Sequence, residues 1–247
     1  MSFHETNLLS VTKKQFIYKL QANLGILISL MIIQLLALLL STAGVSSMSV
    51  GTNLTIINLK IISGDIIIVF TLIWAFIVGY NTAGNAYRLD YHFVTNRLSS
   101  NLASGCFLLL TSLLAGITAT FCGVLLRVLL YFWRDLLTTK GLSMAPALLM
   151  KGSYVTVLYA CLLSALGYFY GMLAQRNKAL TVLIPVLFFG SLFAAAKDTR
   201  AAQLFRQVLV FYFSESSLAL FTLKIVLTVA LLFITIILFT NRMEVRK

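Results

Sequence analysis

The chain has 247 residues, 60% hydrophobic and 11% charged, with a mean hydropathy of +0.97 and a formal charge of +12. Soluble domains carry about 25% charged residues, and apolar runs of ~18 or more are long enough to cross a bilayer, so the composition excludes a soluble domain and indicates an integral membrane protein. The runs are continuous rather than alternating, which argues against a β-barrel, and the basic residues cluster at run ends, where they meet anionic lipid rather than nucleic acid.

Residues 1–22 are polar to mixed and hold Lys13, Lys14 and Lys19. Leu9, Phe16 and Leu20 share one side of a helical wheel, with Lys13 close to it. This predicts an interfacial helix lying along the membrane, with a partly ordered tail as the alternative. The first span is expected over 24–40. The polar lead-in is long for a signal peptide and further spans follow, so it is read as an uncleaved helix. Residues 41–60, rich in Gly, Ser, Thr and Asn, read as a loop.

The second span is expected over 61–87, with Ser63 and Asp65 suited to a helix start. Ala75, Gly79 and Ala83 recur every four residues and form a small-residue stripe that lets another helix approach closely. Asn81, Thr82 and Asn85 make its last turns polar. They either line a path or bond to neighbouring helices. The connection that follows, YRLDYHFVTNRLSSN, is a short polar island between long apolar runs. A third span over 102–130 has Ser99, Ser100 or Asn101 as candidate caps and a second small stripe at Ala115, Ala119 and Gly123. Arg127 lies near its far end, as a functional candidate or as a side chain snorkelling to the interface.

Residues 131–152 read as a connection, and the fourth span as 153–174, with Gly167 and Gly171 as a GxxxG packing pair. A short basic turn, 175–178, leads to a fifth span over 179–196 that Pro185 interrupts. Within 197–217, Ala201, Leu204, Phe205, Val208, Leu209 and Tyr212 follow helical spacing and predict a short amphipathic helix. The sixth span covers 218–240. The fold expected is thus all-α, a single membrane domain over 1–247 with six transmembrane helices, an N-terminal interfacial helix and an amphipathic helix before the last span.

Six spans put both termini on one side. That side has 10 of the 19 basic residues, and they crowd into short segments beside span ends. This places both termini in the cytoplasm. Cys106, Cys122 and Cys161 each sit inside an apolar run with no metal-ligand spacing, so neither a zinc site nor a disulfide framework is expected. No GxxxxGK[ST], HExxH or GxSxG pattern occurs, and no expected span has an Asp or Glu at mid-depth. This argues against a P-loop ATPase, a hydrolase and an ion-coupled carrier.

The six-span pattern, the basic N-terminal helix, the compact loop YRLDYHFVTNRLSSN, the short turn AQRNK and the half-inserted segment AAQLFRQVLVFYF together resemble a short ABC-2 type permease subunit of Gram-positive bacterial exporters. The resemblance covers nearly the whole chain and rests on architecture, with TNRLSSN its one local signature; the large extracellular domain of bigger members is lacking. It implies a non-enzymatic permease in the bacterial cell membrane that exports a hydrophobic or amphipathic substrate such as a peptide, lipid-like molecule or drug. A separate ABC ATPase subunit, in two copies, would bind ATP and Mg and supply the energy; this chain would bind no cofactor. A second permease chain, identical or homologous, would complete the path. The loop would be the coupling helix that docks on the ATPase, with Arg88, Asp90, Tyr91, His92, Phe93, Asn96 and Arg97 as contacts. The alternative is a non-transporting membrane scaffold or sensor partner.

Overall fold

The computed structural model describes residues 8–43, 46–52, 55–61, 64–89, 97–134, 146–176 and 218–242, with scattered positions between 179 and 217. Side chains are described for 10–42, 64–84, 98–132, 146–175 and 218–240, and for some of the scattered positions. The elements in order are α1 (Leu8–Ala22), α2 (Gly25–Ala43), β1 (Ser46–Thr52), β2 (Thr55–Ile61), α3 (Asp65–Leu89), α4 (Arg97–Arg134), α5 (Pro146–Arg176) and α6 (Leu218–Arg242). Among the described residues, α2 to α6 are the five helices long and apolar enough to cross a membrane. The chain is accordingly a multi-pass membrane protein by length and composition, and its spanning part is helical. This is the arrangement in which every backbone polar group is satisfied within its own segment.

The segment read as a loop between the first two spans holds an antiparallel hairpin, with Ser46 opposite Ile61 and Thr52 opposite Thr55. The third span is longer than expected. α4 has 38 residues, about 57 Å at ~1.5 Å per residue, nearly twice a hydrocarbon core of ~30 Å. Ser99, Ser100 and Asn101 are therefore not caps. They lie within the first turns of α4, buried, because α1 and α5 supply partners for such polar side chains. α5 likewise begins at Pro146 rather than 153. Proline suits the first helical turn, where its missing N–H would have no intrahelical partner. The fifth span and the amphipathic helix before the last span lie largely outside the described residues.

Lipid tails are as apolar as leucine, so helix association in a bilayer depends on close packing and interhelical hydrogen bonds. Both are present. A Cβ on Gly79 of α3 would overlap the Ser164 carbonyl oxygen of α5, and one on Gly167 of α5 would overlap the Phe76 carbonyl oxygen of α3. Gly171 meets Ala83, where a Cβ would lie 2.7 Å from the alanine methyl. The two helices thus touch backbone to backbone. These pairs rise together in number, so α3 and α5 run parallel. Asn101 with Tyr168, Ser112 with Ser164 and Gly116 with Val157 make α4 antiparallel to α5. The ring pairs Tyr159–Phe221 and Tyr168–Phe233 make α5 and α6 parallel.

The main core joins Leu30, Trp74, Ala75, Val78, Phe107, Leu108, Tyr168 and Ile236 from α2 to α6. Around it, large apolar side chains point outward, among them Leu35 and Leu39 on α2 and Leu223, Leu227 and Leu231 on α6. Contiguous apolar faces of this kind suit a hydrocarbon surrounding.

Candidate functional site

The site is the end of the bundle where α3 stops, α4 starts and α1 lies against it. α1 and α2 are broken at Asn23, whose backbone N–H (3.2 Å) and side-chain amide (2.8 Å) both donate to the Lys19 carbonyl. The bend turns Lys19 inward. Its Nζ donates to the Ser100 carbonyl at 3.1 Å, the Ser100 hydroxyl at 2.9 Å and the Ser104 hydroxyl at 2.7 Å. Lys19 is 4% exposed. A lysine this deep requires hydrogen-bonding partners, since its charge loses water. The location is unusual, because the N-terminal turns of a helix carry positive partial charge. Lys13 and Lys14 are exposed, and Phe16 packs against the main core.

On the adjoining face of α4, the Tyr168 hydroxyl donates to Asn101 Oδ1 at 2.9 Å, while Asn101 Nδ2 is buried with no partner. Thr82 is buried and donates to the Val78 carbonyl. Tyr80 and Phe76 of α3 lie against Tyr170 of α5, whose hydroxyl donates to the Thr181 carbonyl at 2.7 Å.

The residues predicted for this end divide as follows. Ala75 and Ala83 are buried, with Ala83 and Gly79 against α5. Asn81 is exposed. The Asn85, Arg88 and Arg97 side chains, and Asp90, Tyr91, His92, Phe93 and Asn96 entirely, lie outside the description. Arg88 and Arg97 are in α3 and α4, so the helices bracket the segment 90–96. Arg127 is at the far end of α4, apart from this site.

Two polar nodes inside the spans escaped the sequence reading. Gln34 of α2 is 1% exposed. Its Nε2 lies 3.0 Å from Thr118 Oγ1 and 3.4 Å from Thr71 Oγ1, tying α2 to α4 and α3. Trp74 Nε1 donates to Ser29 at 2.9 Å in the same interface. Lys224 of α6 forms an ion pair with Glu215, lies 4.0 Å above the Phe211 ring and reaches the Phe211 carbonyl. Tyr159 of α5 donates to the neighbouring Tyr212 carbonyl. The signal was present in both cases: Gln34 is the one amide in its apolar run, and Lys224 the one charge between 218 and 240.

Comparison with family models, curated proteins and solved structures finds no match to this chain. Among the described residues, no three His, Cys, Asp or Glu side chains come together as a metal site. What the arrangement offers is mechanical. The helix entering 90–96 is locked to α5, and the helix leaving it is locked to α1 and α5.

Proposed function

We propose that this chain is the permease subunit of an ATP-driven transporter, of the ABC-2 type, with a separate ATPase docking on residues 88–97. The observation that carries this is the separate anchoring of the two helices that meet there. Lys19 ties α1 to the first turns of α4, while Gly79, Gly167 and Gly171 seat α3 directly on the α5 backbone. A displacement imposed at the segment therefore enters two close-packed helix pairs instead of dissipating in a loose connection. ATP and Mg would bind to the partner, in two copies.

Parallel packing of α5 and α6 supports a sixth span. The end of α5 and the start of α6 lie at opposite ends of the bundle, and Thr181 beside Tyr170 and Tyr212 beside Tyr159 mark the return. Six spans, the basic terminal segments and the positive-inside rule support cytoplasmic termini in a bacterial cell membrane. The apolar exterior suits a second permease chain or lipid. The mostly apolar interior suits export of a hydrophobic or amphipathic substrate.

The test is affinity purification of the full chain from its native membrane. A phosphate-loop ATPase should accompany the wild type. Phe93→Asp and Arg97→Glu should remain in the membrane and lose that ATPase by about tenfold or more, as expected when an aromatic anchor or register-setting charge is removed. Equal recovery with the variants removes the coupling assignment. Absence of any ATPase from the wild type favours a scaffold or sensor partner.

A further inference from the structure

We propose that Arg127 forms a phosphate-binding site in the last third of α4, independent of the transporter reading. Arg127 lies within the apolar stretch LLRVLL, where a charge is costly unless it is paired. Its Nη1 is buried and has no hydrogen-bond partner. Glu215 and Asp65 are the only carboxylates among the described residues. Glu215 pairs with Lys224. Among the described residues the guanidinium Nη1 thus has no anion partner, whereas the buried Lys19 ammonium is engaged by Ser100 and Ser104.

The surroundings leave room for a ligand. Arg127 follows Gly116 by 11 residues, about three turns, so both lie on the same face of α4. At Gly116 that face is closed, because a Cβ there would strike Val157 of α5. One turn before Arg127, Gly123 has open space, with no atom of the described residues within 4 Å of a Cβ position. The face of α4 that packs on α5 at Gly116 is thus open at Gly123, and Arg127 follows one turn later on that face.

Phosphate fits this site better than a carboxylate on a second protein. Arg127 is one turn from Tyr131 and Phe132, whose rings stack edge to face and are 63% and 81% exposed. Exposed aromatics mark the headgroup level of a bilayer, and a long arginine stem bridges one turn to it. A planar guanidinium binds phosphate through two parallel N–H···O bonds. A lipid headgroup and a soluble phosphate share this chemistry.

The test uses the full-length chain in nanodiscs of phosphatidylcholine, with or without phosphatidylglycerol, whose phosphate has no compensating choline. Native mass spectrometry should show the wild type retaining phosphatidylglycerol about tenfold over phosphatidylcholine, the order expected for one bidentate charge-assisted contact. Arg127→Gln should abolish the preference, and Arg127→Lys, which keeps the charge but not the fork, should reduce it. Inorganic phosphate added to the phosphatidylcholine sample is the second arm. A higher melting midpoint for the wild type, without one for Arg127→Gln, assigns the site to a soluble phosphate. A wild type indifferent to both, or an Arg127→Gln protein responding as the wild type does, overturns the proposal. Should Arg127→Gln fail to insert, the wild-type preference and the Arg127→Lys reduction decide it alone.

Discussion

Lys19, Gln34 and Lys224 are polar side chains kept inside an apolar protein by different means. Lys19 is held by two serines of α4, Gln34 by two threonines on α3 and α4, and Lys224 by Glu215 and an aromatic ring. Lys19→Met keeps the stem and removes three hydrogen bonds. It should loosen α1 from α4 by about 2 kcal/mol, the scale of hydrogen bonds to a charged group. Amide hydrogen exchange would show this as faster exchange across 10–20 with little change in the later turns of α4. Unchanged protection of α1 would mean that Phe16 and Leu20 alone dock it. Gln34→Leu should cost less, about 1 kcal/mol, because interhelical hydrogen bonds in bilayers average well below their expected strength. A unfolding titration in bicelles measures it, and an unchanged midpoint would show the node to be dispensable.

At the scale of elements, the α3–α5 pair is set by glycine. Gly79→Val would place a branched side chain against the α5 backbone, which cannot yield as a flexible side chain can. A loss of about 3 kcal/mol or more is expected from such overpacking. Gly84→Ala is the matched control, with open space at that position and an effect within about 0.5 kcal/mol. Thermal denaturation of the two variants checks the difference; equal midpoints would remove the backbone-contact account. The stripe itself was legible, because small residues every four positions on an apolar helix carry a local signal. Its partner was not. The spacing of Gly167 and Gly171 matches that of Ala75, Gly79 and Ala83, but nothing in it says which helices meet or in which direction. The start of α4 was missed for a related reason. Polar residues at a helix end look like caps until a neighbouring helix is seen to hold them.

At the scale of the whole molecule, the parallel packing of α5 and α6 makes a sharp topological prediction. In a background with Cys106, Cys122 and Cys161 replaced by serine, single cysteines at Ser2 and Val245 should react with an impermeant thiol reagent from the same side. A cysteine at Ser47, in the hairpin, should react from the other. Five crossings would instead put Ser2 and Val245 on opposite sides, and that labelling pattern would eliminate the six-span arrangement. The composition of the chain already required a membrane, and apolar run lengths located most of its crossings, because bilayer thickness imposes itself on sequence one segment at a time. Tertiary structure alone decided that Lys19 turns inward, that Gln34 joins three helices, that α3 and α5 meet at their backbones and that Arg127 Nη1 is buried without a hydrogen bond. Each of these depends on distance between segments far apart in the chain, and pairing across such distances leaves no periodic trace in either segment.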